Sequence, residues 1–409
     1  MKIKVTPEIK KAMDLVKNTD KNILISGQAG TGKSSFLEYF KQTNNNKYQC
    51  AFIAPTGTAA VNIGGCTIHK FFGFNTQFQN IDNIDLYNYL FAKNDNLKKV
   101  LDSLDFLIID EISMVRADLM DAVIEMLSRV KKRVRIIALG DLGQLRPVLT
   151  NDEKDIFYRH YDDTLFYSAK LFENWNWEKV LFKKVFRQKD PVMKEHLNNI
   201  RNKRNLQKSL AYFNERYDPE FKGYGIKICN QNKQVDEINA IELHKVKSPE
   251  IIVKADVEGD FPENIYPTPL EIKFKVGAKV MTIRNHYQGE YVNGTIGTIM
   301  GYNDKDGSIR IKTEDGKIIF VERNKWENKQ YKSDGETLED DVAGTFEQYP
   351  IRLAYAITSH KSQGKTFDSV IIDRGRGFFA LGQLYVALSR CTSYDGIHLI
   401  KKLQRSDVK

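Results

Sequence analysis

Apolar residues along this chain come in short blocks separated by polar turns. Asn22 to Ser26, Gln49 to Ala54, Phe106 to Ile109 and Arg135 to Leu139 each carry an apolar run that ends at a polar or glycine-rich turn. Runs of this length and character read as strands buried on both faces of a parallel sheet. Between them, Ser34 to Phe40 and Leu119 to Val130 space their apolar residues as helices do. The first part is therefore expected to be an α/β domain with a doubly wound sheet, its chemistry at the C-terminal ends of the strands.

A second alternating set follows the aromatic stretch Phe172 to Trp177, with Gly225 to Cys229, Val280 to Ile283, Ser369 to Asp373 and Gly396 to Ile400 as candidate strands. From Phe274 to Trp326 the texture changes to short alternating runs broken by Gly277, Gly289, Gly294, Gly297, Gly301, Gly307 and Gly316, the spacing of a small β-barrel. Val280 to Ile283 reads either as a strand of the second α/β domain or as part of that barrel. Asn44-Asn45-Asn46 and the polar stretch Glu327 to Asp341 read as loops. The expected division is a first domain over 1–174 with a small insertion at about 70–98, a second over 175–273 and 342–409, and the barrel inserted over 274–341.

Composition adds limits. A chain of 409 residues exceeds what one hydrophobic core usually supports. With 41% hydrophobic and 28% charged residues it has a globular balance. No segment approaches the roughly 18 uninterrupted apolar residues of a membrane span. Met1 to Pro7 carries lysines with no apolar stretch behind them, unlike a secretion signal. The expected setting is intracellular: cytoplasmic or nucleoid-associated in a bacterium, nuclear or mitochondrial in a eukaryote. Cys50, Cys66, Cys229 and Cys391 are far apart and form no C-x-x-C, which suggests neither a disulfide framework nor a zinc cluster. The net charge of +9 favours a polyanionic partner.

Gly27-Gln28-Ala29-Gly30-Thr31-Gly32-Lys33-Ser34 fits G-x-x-x-x-G-K-[ST], after a strand and before a helix. In that context backbone N–H groups wrap phosphates, Lys33 reaches the β- and γ-phosphates, and Ser34 offers a hydroxyl to Mg²⁺. Leu107-Ile108-Ile109-Asp110-Glu111 ends a buried strand in two carboxylates. Asp110 suits the Mg²⁺, and Glu111 suits a general base that polarises the attacking water. One strand later, Gly140-Asp141-Leu142-Gly143-Gln144-Leu145-Arg146-Pro147-Val148 offers Gln144 as a reporter of the γ-phosphate.

Together with Ala54-Pro55-Thr56-Gly57-Thr58-Ala59-Ala60, these motifs resemble those of superfamily 1 helicases. Glu111-Ile112-Ser113-Met114-Val115 resembles the Pif family of group B in particular, with RecD and Dda as neighbouring branches and Arg146 nearer to Dda. Val185-Phe186-Arg187-Gln188, Thr358-Ser359-His360-Lys361-Ser362-Gln363-Gly364-Lys365-Thr366 and Gln383-Leu384-Tyr385-Val386-Ala387-Leu388-Ser389-Arg390 resemble motifs IV, V and VI. The matches keep the family's order from Gly27 to Arg390, and such agreement across levels carries weight that no single motif has. The resemblance implies two RecA-like P-loop NTPase domains, an SH3-like β-barrel insertion in the second and a wedge-like insertion in the first. It further implies a monomeric, ATP-dependent 5′-to-3′ DNA helicase that uses ATP and Mg²⁺ on single-stranded DNA and tailed or forked duplexes. Lys33, Asp110, Glu111, Gln144, Arg187 and Arg390 would then be catalytic. Gly27, Gly30, Thr31, Gly32, Lys33, Ser34, Ser35 and Gly364 would bind nucleotide, with Ser34 and Asp110 on Mg²⁺. One position departs from the pattern: Ile9 stands where the family usually has an adenine-reading glutamine, so weak discrimination between bases is expected.

The implied strand track joins Pro55, Thr56, Gly57, Thr67, His69 and Phe72 in the first domain to Asn293, His360, Lys361 and Ser362 in the second. Cations and aromatics together suit backbone tracking with base stacking. Phe71 and Phe72 read equally as core, and Asn293-Gly294 is also a favourable hairpin turn. Two other functions compete. A nuclease motor subunit would fit the RecD likeness, but no further cluster of acids is visible. A nucleotide-switched binding module would not need the intact set Lys33, Asp110, Glu111 and Arg390.

Overall fold

The short apolar runs become parallel strands in the computed structural model, which describes residues 3–44, 47–80, 82–147, 149–303, 307–333 and 338–409. β1 (Asn22–Gly27), β2 (Cys50–Ala54), β3 (Cys66–Thr67), β4 (Phe106–Ile109), β5 (Arg135–Gly140) and β6 (Trp177–Phe182) form one sheet in the order β3-β2-β4-β5-β1-β6. Every pairing in it is parallel. Alternate residues serve opposite cores: Ile23, Ile25, Ile137 and Leu139 pack with Phe36 and Phe40, whereas Leu24, Ile136 and Ala138 pack with Met120, Val123 and Leu127. Burial on both faces is what an unbroken apolar strand demands. Asn45, Asn46 and Val148 lie outside the described residues.

One expectation about this half needs correction. β6 pairs with β1 along its whole length, so the first domain continues past residue 174 to Phe182. The aromatic stretch before it is core, with Phe172 stacked on Trp177 at 4.6 Å. As an edge strand, β6 buries only Val180 and Phe182 deeply, which leaves it a half-polar pattern that does not stand out in sequence.

β7 (Ile226–Cys229) opens a second parallel sheet. The chain then leaves it for β8 (Glu250–Lys254), β9 (Asp256–Gly259), β10 (Glu271–Lys275), β11 (Lys279–Thr282), β12 (Ile296–Asn303), β13 (Ser308–Thr313), β14 (Ile318–Val321), β15 (Asn324–Ser333), β16 (Leu338–Gln348) and β17 (Ile351–Leu353). β18 (Ala356–Thr358), β19 (Val370–Asp373) and β20 (Ile397–Leu399) complete the order β18-β7-β19-β20, all parallel. The intervening strands form an antiparallel sheet β14-β13-β12-β11-β17, a ladder β10-β8 and a sheet β15-β16-β9. Val280 to Met281 therefore pairs within the inserted β region, and that region runs from Glu250 to Leu353, wider than 274–341.

The polar stretch Glu327 to Asp341 is not a loop where it is described. β15 pairs with β16 in an antiparallel hairpin, burying Trp326, Asn328 and Tyr331 between exposed or half-buried neighbours. One-sided burial keeps such a strand mostly polar. The hairpin docks on the first domain: Tyr331 enters its core, and the Tyr331 hydroxyl accepts a 2.8 Å hydrogen bond from the Phe52 N–H. Among the described residues no helix is long and apolar enough to cross a membrane.

Candidate functional site in the cleft between the parallel sheets

β1 hands over to the Lys33–Asn44 helix through the glycine-rich loop. Lys33 Nζ donates to the carbonyls of Gly27 (2.7 Å) and Gln28 (3.0 Å). Buried Thr31 closes the same turn by donating to Gln28 O at 2.8 Å. Gly30 has φ +74°, and a Cβ there would lie 2.6 Å from Cβ of Arg187. The Phe186 N–H donates to Gly30 O at 2.8 Å, so the Val185–Gln188 segment lies directly on the loop. Gly32 is half-buried, Ser34 is exposed and Ser35 is half-buried at the helix start.

β5 separates β1 from β4, which sets the phosphate loop and the Asp110–Glu111 pair about 10 Å apart, two strand spacings. Burial raises the Asp110 carboxyl above its ordinary range. Burial, then the neighbouring Asp110, pushes Glu111 up to about 7. Burial pulls Lys33 down, against Asp141, Glu111 and Asp110. A cation between the loop and the carboxylates would offset these costs, and Ser34 and Asp110 supply the hard oxygen ligands Mg²⁺ favours. Glu111 adopts φ +51°, unusual for a side-chain-bearing residue, a strained setting typical of functional positions. Its Oε2 accepts from Gln363 Nε2 at 3.0 Å, a direct link from the second half of the chain to the candidate base.

Arg187 spans the cleft, with its Cβ against Gly30 of the phosphate loop and its guanidinium on the far side, where Arg390 also lies. Arg187 donates to Thr366 Oγ1 (2.9 Å) and to the carbonyls of Gly364 and Ser389 (3.4 Å each). Arg390 is fully buried. It donates to Val386 O (2.9 Å), Ser389 Oγ (2.8 Å), and the carbonyls of Ser362 and Lys365 (3.4 Å each). Burial, then Arg187, pulls it down to about 9. In this arrangement Arg390 ties the 358–366 segment to the Gln383–Ser389 helix, and reaching a phosphate requires it to exchange some of these bonds.

The implied strand track is only partly accessible. Phe72 is a core residue: it is 1% exposed and its ring stacks on Phe74 at 5.1 Å, so no face is free for a base. Ser362 is also buried, its hydroxyl donating to Ser359 O at 2.7 Å. Thr56 and Thr67 spend their hydroxyls capping the helices Gly57–Asn62 and Ile68–Phe72. Ile265 covers Gly57, 2.8 Å from where a Cβ would stand. Asn293 Oδ1 accepts from Lys365 Nζ, which binds the β11–β12 connection to the 358–366 segment. Lys361 is exposed, while Pro55, His69 and His360 are half-buried. Burial lowers both histidines. Ile9 is 1% exposed and packs in the first domain's core.

The model of the PIF1-like helicase family matches residues 4–210 of this chain. The chain belongs to that family. It is similar to the ATP-dependent DNA helicase Pif1 of Campylobacter jejuni, 29% identical over 395 residues, which cover 91% of this chain and 87% of that one. Its fold is similar to the crystal structure of a Bacteroides Pif1 in complex with ADP-AlF4, with a TM-score of 0.89 and 32% identity over 100% of this chain and 94% of that one. For Bacteroides Pif1 bound to ssDNA the TM-score is 0.66, at 33% identity over 99% and 93% of the two chains. This member of the PIF1-like family is an ATP-dependent DNA helicase built on two RecA-like domains.

The helicase cleft also contains residues outside the expected set. Asp141, fully buried at the end of β5, accepts from Gly143 N (3.0 Å), Gln144 Nε2 (3.1 Å), Arg201 Nε and Nη2 (3.0 and 2.7 Å) and Tyr385 OH (3.4 Å). A signal existed for Asp141, which ends a buried strand as Asp110 does. None existed for Arg201, a lone arginine at the end of the Pro191–Arg201 helix.

Proposed function

We propose that this helicase moves 5′ to 3′ along single-stranded DNA as a monomer and separates tailed or forked duplexes, hydrolysing ATP between its two RecA-like domains. The observation that carries this reading is the convergence of Lys33, Glu111 and Arg187 from both sides of one cleft, with Gln363 bonded to Glu111 across it. The complex of Bacteroides Pif1 with ssDNA supports the partner.

In this reading Mg²⁺ on Ser34 and Asp110 would neutralise developing phosphate charge. Lys33 and the loop N–H groups hold the β- and γ-phosphates. Glu111 takes a proton from water as its oxygen attacks the γ-phosphorus, and the bond to the ADP oxygen breaks. Arg187 and Arg390 stabilise the charge spread over the equatorial oxygens, as cis arginine fingers do. Loss of phosphate removes the contact that favours the closed cleft, so the domains part. Lys361, His360, His69 and Pro55 offer backbone contacts on the two domains, and alternate tightening of those contacts yields a step.

A strand-displacement assay on 5′-tailed and 3′-tailed duplexes, with and without ATP, tests the proposal. Unwinding confined to the 5′-tailed substrate is expected. Preference for the 3′ tail overturns the direction. Absence of strand-stimulated ATP turnover favours a nucleotide-switched binding module instead.

A further inference from the structure

We propose that Arg201 is a positioning residue that transmits cleft closure to Gln144 by clamping Asp141 from the second domain; this rests on the two-domain hydrolysis reading above. The two oxygens of Asp141 have separate partners. Oδ1 accepts from both Arg201 nitrogens and from Gly143 N, while Oδ2 accepts from Gln144 Nε2 and Tyr385 OH. Arg201 thus fixes the carboxylate plane, and the far oxygen fixes the Gln144 amide. Among the described residues Gln144 Oε1 has no partner, so the clamped amide has an acceptor left over for a water or a phosphate-bound proton.

Arg201 and Tyr385 both belong to the second domain: their helices contribute Met193, Leu197, Ile200, Leu384 and Leu388 to its core. Opening the cleft withdraws both together and takes the Arg201 and Tyr385 bonds off Asp141, so the carboxylate no longer has a fixed orientation to pass on to Gln144. The turn is shaped for this grip. A Cβ at Gly143 would lie 2.4 Å from Arg201 Cγ and 2.5 Å from Nε, so any side chain there displaces the guanidinium. On the other side Gly382, at φ +76°, comes so close that a Cβ would stand 2.4 Å from Gln144 O. Two close approaches around one residue hold its side chain within the tolerance that catalytic orientation requires.

The test compares Arg201→Ala, Arg201→Lys and Gly143→Val in the full chain. It reads strand-stimulated kcat, the Kd of a fluorescent ATP analogue and the thermal midpoint. Arg201→Ala and Gly143→Val are expected to lose kcat by about 100-fold, the scale of a misplaced catalytic group, with Kd within about threefold of the parent. Arg201→Lys recovers at least about tenfold, because it restores the charge though not the fork. The proposal is overturned if kcat in Arg201→Ala stays within about threefold of the parent. It is equally overturned if Ala and Lys variants lose turnover in step with the thermal midpoint. Lys33→Ala separates the failures: normal turnover there defeats the hydrolysis reading itself, whereas an inactive Lys33→Ala beside a normal Arg201→Ala defeats only the clamp.

Discussion

Replacing Glu111 with glutamine is expected to make the helicase more stable and nearly inactive. The change is isosteric, and the new amide oxygen can still accept from Gln363 Nε2. What disappears is a carboxylate that burial and Asp110 disfavour, pushing its pKa from 4.5 to about 7. The folded state therefore holds a proton over that interval that the unfolded chain has already released, so stability falls as pH rises through it and the full penalty applies above about pH 7. A shift of this size corresponds to about 3 kcal/mol. Glu111 is half-buried and cleft water screens it, which reduces the expected gain to about 1–3 kcal/mol. Denaturant unfolding of both proteins gives the comparison. At about pH 8 the variant should be more stable by that amount, and at about pH 5 the gap should nearly close. Strand-stimulated turnover should fall by about 10² to 10⁴ if Glu111 is the general base. In the parent, kcat/KM should decline as pH drops below about 7. An equal stability difference at both pH values refutes the electrostatic argument, and retained turnover refutes the role.

Phe72→Ala should cost about 3–5 kcal/mol of stability while leaving single-strand affinity of the folded protein unchanged; a large loss of affinity at unchanged stability would return Phe72 to the strand track. Lys361→Ala should lower the slope of log K against log salt by about one phosphate contact, and an unchanged slope removes Lys361 from the track. Arg390→Lys keeps a charge but cannot serve Val386 O, Ser362 O, Lys365 O and Ser389 Oγ at once, so unfolding should show a loss of at least about 2 kcal/mol. With Ile9 buried in the core, turnover of ATP and GTP should agree within about tenfold in kcat/KM; a large ATP preference means that another residue reads the base edge.

The sequence by itself determined the parts whose constraint is local. A phosphate loop needs glycines, a lysine and a hydroxyl at fixed spacing on a strand-to-helix turn, so Gly27 to Ser34 was legible. Strands buried on both faces must be apolar throughout, so β1, β2, β4 and β5 were visible within a residue or so of their ends. Strands buried on one side or hardly at all escape that constraint: β6 and β15 bury only some of their residues, β8 buries Val253 alone and β9 buries none, so they were missed or read as loops. Packing alone decided between core and contact: nothing in Thr67 to Phe74 distinguishes a ring that stacks on Phe74 from one open to a base. The cross-cleft set of Asp141, Arg201, Tyr385 and Gln363 belongs to tertiary structure for a similar reason. These residues are far apart along the chain, each has an ordinary role in its own element, and only the approach of the two domains makes them neighbours.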